Sequence, residues 1–225
     1  MISELSRQPI FDADFQLFET MLVTRDQRLR HVEHHLARLA RSATLLGFLF
    51  QHAQVLAKLD AALAVTAMGV KSRLRLALAR DGHIDVTSAK LLPLPDGPVQ
   101  LLIDSNPLPG PRHLAMHKTT LRAEYDDGLR RAETRGAFDT LFFTADGRLV
   151  EGGRSNVFAL IDGRWSTPPL SDGALPGIMR GLLLDDPVWQ ASERTLRLSD
   201  LRRARSLIVC NALRGTVPAR LVIDA

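Results

Sequence analysis

Apolar and polar residues alternate along this chain with two distinct periods, and the switch from one to the other marks out its elements. Phe15 to Val23 (FQLFETMLV) reads as a strand, and Arg25-Asp26-Gln27 supplies a turn before a longer pattern. There Val32, Leu36, Leu39, Ala43 and Leu46 recur at helical spacing, and Gly47 is a stop signal. A second helix is expected over Val55 to Val65. Ser72 to Ala79 and His83 to Leu91 are strand-like runs joined around Asp81-Gly82, a dipeptide suited to tight hairpin turns, and Val99 to Ile103 is a further strand. Asn106-Pro107-Leu108-Pro109-Gly110-Pro111 suits neither helix nor sheet, because each proline lacks an N–H donor and has a fixed φ.

After this break the pattern is helical over Thr120 to Arg135. Thr140 to Phe143, Leu149 to Val150, Asn156 to Ile161 and Arg164 to Thr167 are strand candidates separated by Asp146-Gly147, Gly152-Gly153 and Asp162-Gly163, which predicts an antiparallel meander. Leu175-Pro176-Gly177-Ile178-Met179-Arg180 opens a short helix, and Ser206 to Cys210 is a buried strand candidate. The expectation is an α+β fold of two small units with a site between them. The N-terminal unit spans 1–105, a linker 106–112, and a larger C-terminal unit 113–225.

Composition narrows the function classes. The 225 residues are 45% hydrophobic, enough to bury a substantial core. The 29 basic residues are interspersed with 25 acidic ones for a net charge of +4, which argues against nucleic-acid binding. No apolar run approaches the roughly 20 residues needed to cross a bilayer, and the N-terminal stretch lacks the apolar centre of a secretory signal. A single cysteine, Cys210, rules out an intramolecular disulfide, so a cytoplasmic protein without membrane association is expected.

Several site types are missing. There is no Gly-rich phosphate loop, no dinucleotide fingerprint and no Cys-x-x-Cys pair. His31-Val32-Glu33-His34-His35 does not follow the His-Glu-x-x-His order, and no metal site is expected from it. Lysine usage is more telling: only Lys58, Lys71, Lys90 and Lys118 stand against 25 arginines. A lysine amine can form a Schiff base once burial or positive neighbours lower its pKa, whereas arginine cannot.

Five segments, in order, resemble the class IV aminotransferases. They are Phe18-Glu19-Thr20; His35-Leu36-Ala37-Arg38-Leu39 with Ser42 and Leu46-Gly47-Phe48; His117-Lys118-Thr119-Thr120; the run from Asp146 through Glu151 and Asn156 to Phe158, continuing to Arg180; and Cys210-Asn211-Ala212-Leu213-Arg214-Gly215 with Pro218. The resemblance implies a class IV (D-amino acid aminotransferase-like) fold, pyridoxal 5′-phosphate (PLP) as cofactor, and a homodimer. It implies Lys118 as the Schiff-base lysine and acid/base. Arg38, placed off the apolar stripe of its helix, would grip the cofactor phosphate bidentately, and Glu151 would keep the pyridine nitrogen protonated, with Asn156 in the same run. The backbone N–H groups of Ile178 and Met179 would meet the phosphate at a helix start, and Asn211-Ala212 would complete the cup. No role is transferred to Tyr125, which lies seven residues after Lys118. Within the family, Lys118-Thr119-Thr120, Gly177-Ile178-Met179-Arg180 and Cys210-Asn211-Ala212-Leu213 are most similar to the 4-amino-4-deoxychorismate lyases of folate biosynthesis, including the lyase-like segment fused to para-aminobenzoate synthase component I. A class IV aminotransferase acting on branched-chain or D-amino acids or amines is the alternative.

Overall fold

The computed structural model describes residues 14–109 and 114–222; residues 1–13 of the N-terminal stretch, and Gly110, Pro111 and Arg112 of the expected linker, lie outside them. Strand β1 (Leu17–Val23), helices α1 (Val32–Leu46) and α2 (His52–Ala64), and strands β2 (Ser72–Leu78) and β3 (Ile84–Lys90) come first. The three strands form one antiparallel sheet in the order β1-β2-β3, with the β2–β3 hairpin turning at the expected Asp81-Gly82. Strand alternation sends Leu17, Met21 and Val23 of β1 and Leu74, Leu76 and Leu78 of β2 to one face, where they pack against Leu36, Leu39, Ala43 and Leu46 of α1. Gly47 ends α1 in the left-handed conformation, at φ 70°, and its N–H returns to Ala43 O.

Strand β4 (Val99–Ile103), helix α3 (Ala123–Thr134), β5 (Asp139–Phe143), β6 (Leu149–Gly152), β7 (Asn156–Ile161), β8 (Arg164–Thr167), α4 (Ile178–Asp185), β9 (Ser192–Glu193), α5 (Leu198–Arg203), β10 (Ser206–Asn211) and β11 (Gly215–Leu221) follow. The eight strands form one mixed sheet in the order β6-β5-β4-β11-β10-β7-β8-β9. Val99–Ile103, expected with the N-terminal unit, is hydrogen-bonded here, parallel to both β11 and β5. Helix α3 makes the crossover between β4 and β5 that a parallel pair requires.

The expected meander is therefore two separate hairpins, β5–β6 and β7–β8, with β4, β11 and β10 between them in the sheet order. A flat sheet would hold β6 and β7 five spacings, about 24 Å, apart. The chain from Gly152 to Asn156 can span only about 14 Å. The sheet must curl until its β6 edge meets β7, and the corner is closed by the Gly152 N–H donating to Ser155 O at 2.7 Å. This curl sets Glu151, near the end of β6, beside Asn156, at the start of β7.

Candidate active site

Lys118 lies on neither helix nor named strand. Its carbonyl accepts the Phe18 N–H at 2.9 Å, the Thr120 N–H donates to Gln16 O at 2.9 Å, and Leu17 and Thr119 form an antiparallel bridge. The segment after Lys118 is thus drawn out along the start of β1, and α3 begins only at Ala123 rather than at the expected Thr120, because pairing with Leu17 and Gln16 holds the backbone of Thr119 and Thr120 beside that strand. The pairing sets the Lys118 amine over the Phe18 ring, 4.4 Å from its centroid. Burial, reinforced by repulsion from Arg122 and Arg38 and opposed by Glu19 and Glu151, lowers its pKa to about 7. An amine so placed is substantially neutral, and nucleophilic, near physiological pH.

Arg38 is buried, not at the helix surface. The enclosed face of α1 is wider than its apolar stripe: His35, Arg38 and Ser42 add a polar row, three or four residues apart. Glu19 of β1 answers it. Its carboxylate accepts Arg38 Nε at 2.8 Å and Nη2 at 2.6 Å and lies 2.6 Å from His35 Nδ1, while Arg38 Nη1 donates to Pro176 O at 3.1 Å. Burial works against both charges. Arg38 and His35 nevertheless hold Glu19 down at about 2, and Glu19 keeps Arg38 above its ordinary value. The bidentate edge expected to meet a phosphate is therefore occupied by Glu19, and two of the five guanidinium N–H donors remain. Ser42, lower in the row, meets His117 Nδ1 at 2.9 Å.

In the same cavity as Lys118, buried Glu151 accepts the Tyr125 hydroxyl at 2.8 Å on one oxygen, and the Leu175 N–H at 3.1 Å and Asn156 Nδ2 at 3.3 Å on the other. Tyr125 is itself fixed edge-on against Phe142, with ring centroids 4.8 Å apart. Asn156 Nδ2 also reaches Leu175 O at 3.1 Å. At Gly177 any Cβ would collide with Asn156 Oδ1, so only glycine lets the start of α4 close on this carboxamide. Gly177 caps α4 without a side chain, and the first N–H groups of a helix have no intrahelical acceptor. The β10–β11 turn completes the wall: Asn211 bonds Arg154 O at 3.1 Å and the Arg214 N–H at 2.8 Å, and Ala212 O accepts Arg30 Nη2 at 2.7 Å.

These groups line one cavity of about 480 Å³, within the range of small-ligand sites. Arg38, Lys118, Glu151, Asn156, Ile178, Asn211 and Ala212 all border it; Met179 does not, its side chain packing beside Phe158, Leu183 and Cys210. The expectation for Met179 concerned only its backbone N–H. Two residues escaped the sequence reading. Glu19 was legible in principle, since alternation puts it in the apolar row of Leu17 and Met21, where a carboxylate demands a cation. Tyr125 carried no such signal, because its contact with Glu151 depends on how α3 lies on the sheet.

Known proteins resemble the chain over nearly its full length. Residues 16–222 match the model of the family described as amino-transferase class IV. A Schizosaccharomyces pombe protein named "Putative aminodeoxychorismate lyase" is 29% identical over 213 residues, covering 92% of this chain and 90% of that protein. A Mesorhizobium loti crystal structure, named as a "Putative amino-acid aminotransferase", superposes with a TM-score of 0.86 at 36% identity, covering 93% of this chain and all of the other. The PLP-bound form of a hypothetical aminotransferase from Mycobacterium tuberculosis superposes with a TM-score of 0.76 at 27% identity, covering 92% of this chain and 81% of the other. With its mixed fold and a half-buried lysine sharing one cavity with a buried carboxylate, the chain belongs to the class IV aminotransferase family and is a PLP-dependent enzyme.

Proposed function

We propose that this enzyme is a 4-amino-4-deoxychorismate lyase, releasing para-aminobenzoate and pyruvate for folate synthesis. In this reading Lys118, Arg38, Glu151, Asn156, Ile178, Met179, Asn211 and Ala212 hold the cofactor. The observation that carries the cofactor reading is the placement of Lys118, with a pKa of about 7, and of Glu151, braced by Tyr125 and Asn156, on one cavity. The donor set fits PLP. An amine stands ready for the aldehyde, a carboxylate for the pyridine nitrogen, and the α4 start, the β10–β11 turn and the two remaining Arg38 donors for the phosphate. Bound there, PLP supplies an electron sink for negative charge at the amine-bearing carbon of the substrate.

The lyase assignment rests on the lyase-like residues around Lys118 and Cys210 and on the likeness to the S. pombe protein. Lys118 Nζ removes the proton from the amine-bearing ring carbon. The ether C–O bond breaks, its electron pair leaving with the enolpyruvyl oxygen, and the ring becomes aromatic. The ammonium of Lys118 then returns the proton that turns the enolpyruvyl group into pyruvate. The amine stays on the product, so no keto acid is consumed.

A second reading, amino-acid transamination, is favoured by the likeness to the M. loti protein. Incubating the holoprotein with aminodeoxychorismate in acceptor-free buffer separates the two. Sustained release of para-aminobenzoate and pyruvate is expected. Stalling after a single turnover, relieved by 2-oxoglutarate or pyruvate, would establish the transaminase instead. The proposal includes a cytoplasmic homodimer in which the small N-terminal unit of one subunit lines the other's pocket. The exposed Leu45, Leu49, Met116 and Leu121 support such pairing.

A further inference from the structure

The cavity wall carries more positive charge than the cofactor roles above use. Strand β2 turns Arg73 and Arg75 to the face opposite its leucines, and Thr20 of β1 pairs directly with Arg75, so Phe18, Thr20, Arg73 and Arg75 share one face and border the cavity. Arg75, half-buried, stacks on Phe18 with its guanidinium carbon 4.5 Å from the ring centroid, the same ring that carries the Lys118 amine. This stacking fixes the planar head against the ring while leaving its N–H edge free to bond.

Every carboxylate bordering the cavity already has a partner. Asp126 is held by Arg122 at 2.9 Å, Glu133 by Arg154 at 2.8 Å, and Glu151 by Tyr125 and Asn156. Arg73 and Arg75, by contrast, make no ion pair or hydrogen bond among the described residues, and Arg75 is repelled by Arg73 and by Arg122, each more strongly than Asp126 attracts it. A bound anion would relieve that repulsion, and a carboxylate matches a guanidinium edge in shape as well as charge.

We propose that Arg75, with Arg73 beside it, receives a carboxylate of the substrate that is remote from the carbon reacting at Lys118. The substrate class is then an amine bearing a distal carboxylate rather than a simple alkyl amine. This rests on the proposed assignment of Lys118 as the reacting residue.

The test reads binding without turnover. The holoprotein is titrated calorimetrically with 4-aminobenzoate and with its neutral isostere 4-aminobenzamide, in the wild type and in Arg75→Gln, Arg75→Lys and Arg73→Gln, with cofactor content and thermal midpoint as folding controls. The wild type is expected to bind the carboxylate at least about tenfold more tightly than the amide. The ratio should fall to near unity in Arg75→Gln, keep part of its value in Arg75→Lys, and fall partway in Arg73→Gln; should Arg75→Gln fail to fold, the ordering wild type above Arg75→Lys and Arg73→Gln decides. Equal binding of the two compounds, binding of neither, or a preference unchanged by every Arg75 substitution would overturn the proposal. Sustained acceptor-free lysis without a carboxylate preference would sink the Arg75 role alone. A preference lost in Arg75→Gln, in an enzyme that stalls without a keto acid, would sink the lyase reading alone.

Discussion

Glu19 holds one whole edge of the Arg38 guanidinium, at 2.8 Å to Nε and 2.6 Å to Nη2, so a side chain with no expected role decides which donors of Arg38 are left. Removing one partner from a buried pair strands the other charge. Glu19→Gln is therefore expected to cost about 3–5 kcal/mol of stability, seen as a lowered denaturation midpoint. Arg38→Ala should also weaken PLP binding by about 1.5–3 kcal/mol in a cofactor titration. Unchanged cofactor affinity would leave Arg38 as the partner of Glu19 alone.

The same pair sets an acid limit. The Glu19 pKa falls from 4.5 in the unfolded chain to about 2 in the folded one, so its contribution is complete above pH 4.5 and is lost as pH drops towards 2. The contribution is on the order of 3 kcal/mol. Chemical denaturation across that window should show wild-type stability falling with acid, and a flatter dependence in Glu19→Gln. Parallel curves for the two proteins would contradict the assignment.

At Lys118 a lowered pKa favours the neutral form instead of the charged one. Its pKa is lowered from 10.5 to about 7, so the neutral amine becomes the major form as pH rises through 7. The rate at which apoprotein takes up PLP covalently should climb between pH 6 and 8 and level off above, as followed by stopped-flow absorbance. In Lys118→Ala, borohydride reduction should fix no cofactor to the chain while circular dichroism stays unchanged. A midpoint near 10 would mean the amine is not desolvated.

Glu151 and Tyr125 are coupled by a 2.8 Å hydrogen bond. Glu151→Gln should retain PLP and lose turnover by about 100-fold or more, because a neutral amide cannot hold the pyridinium proton. Tyr125→Phe leaves the carboxylate charged but removes the hydroxyl that donates to one of its oxygens, and a smaller loss is expected. Equal losses in steady-state turnover would mean that position, not charge, is what Glu151 supplies.

The assembly is checked in solution. Sedimentation at micromolar concentration should give a dimer, and a charge placed at Leu45 or Leu49 should shift it towards monomer. A fully active monomer would overturn the pairing.

Local pattern was enough for most elements. The apolar spacing from Val32 to Leu46 with Gly47 after it, and the Asp-Gly dipeptides between strands, encode backbone conformations that a few neighbouring residues determine, and α1, β7 and β8 match their expected bounds. The candidate site was legible as ordered motifs because Lys118, Glu151, Asn156 and Asn211 must each present a particular chemical group. Tertiary structure decided what brings those groups together. Strand partners cannot be read from periodicity, since any apolar strand can pair with any other; only closure of the curled sheet splits the expected meander and sets Glu151 beside Asn156. Burial of Arg38 likewise follows from Glu19 lying on the inner face of β1, and the Lys118 pKa from charges brought in by α1, β1, β6 and the start of α3. Chemical identity belongs to single residues and is written in the sequence, whereas protonation state and hydrogen-bond partnership belong to pairs distant along the chain and exist only once it has folded.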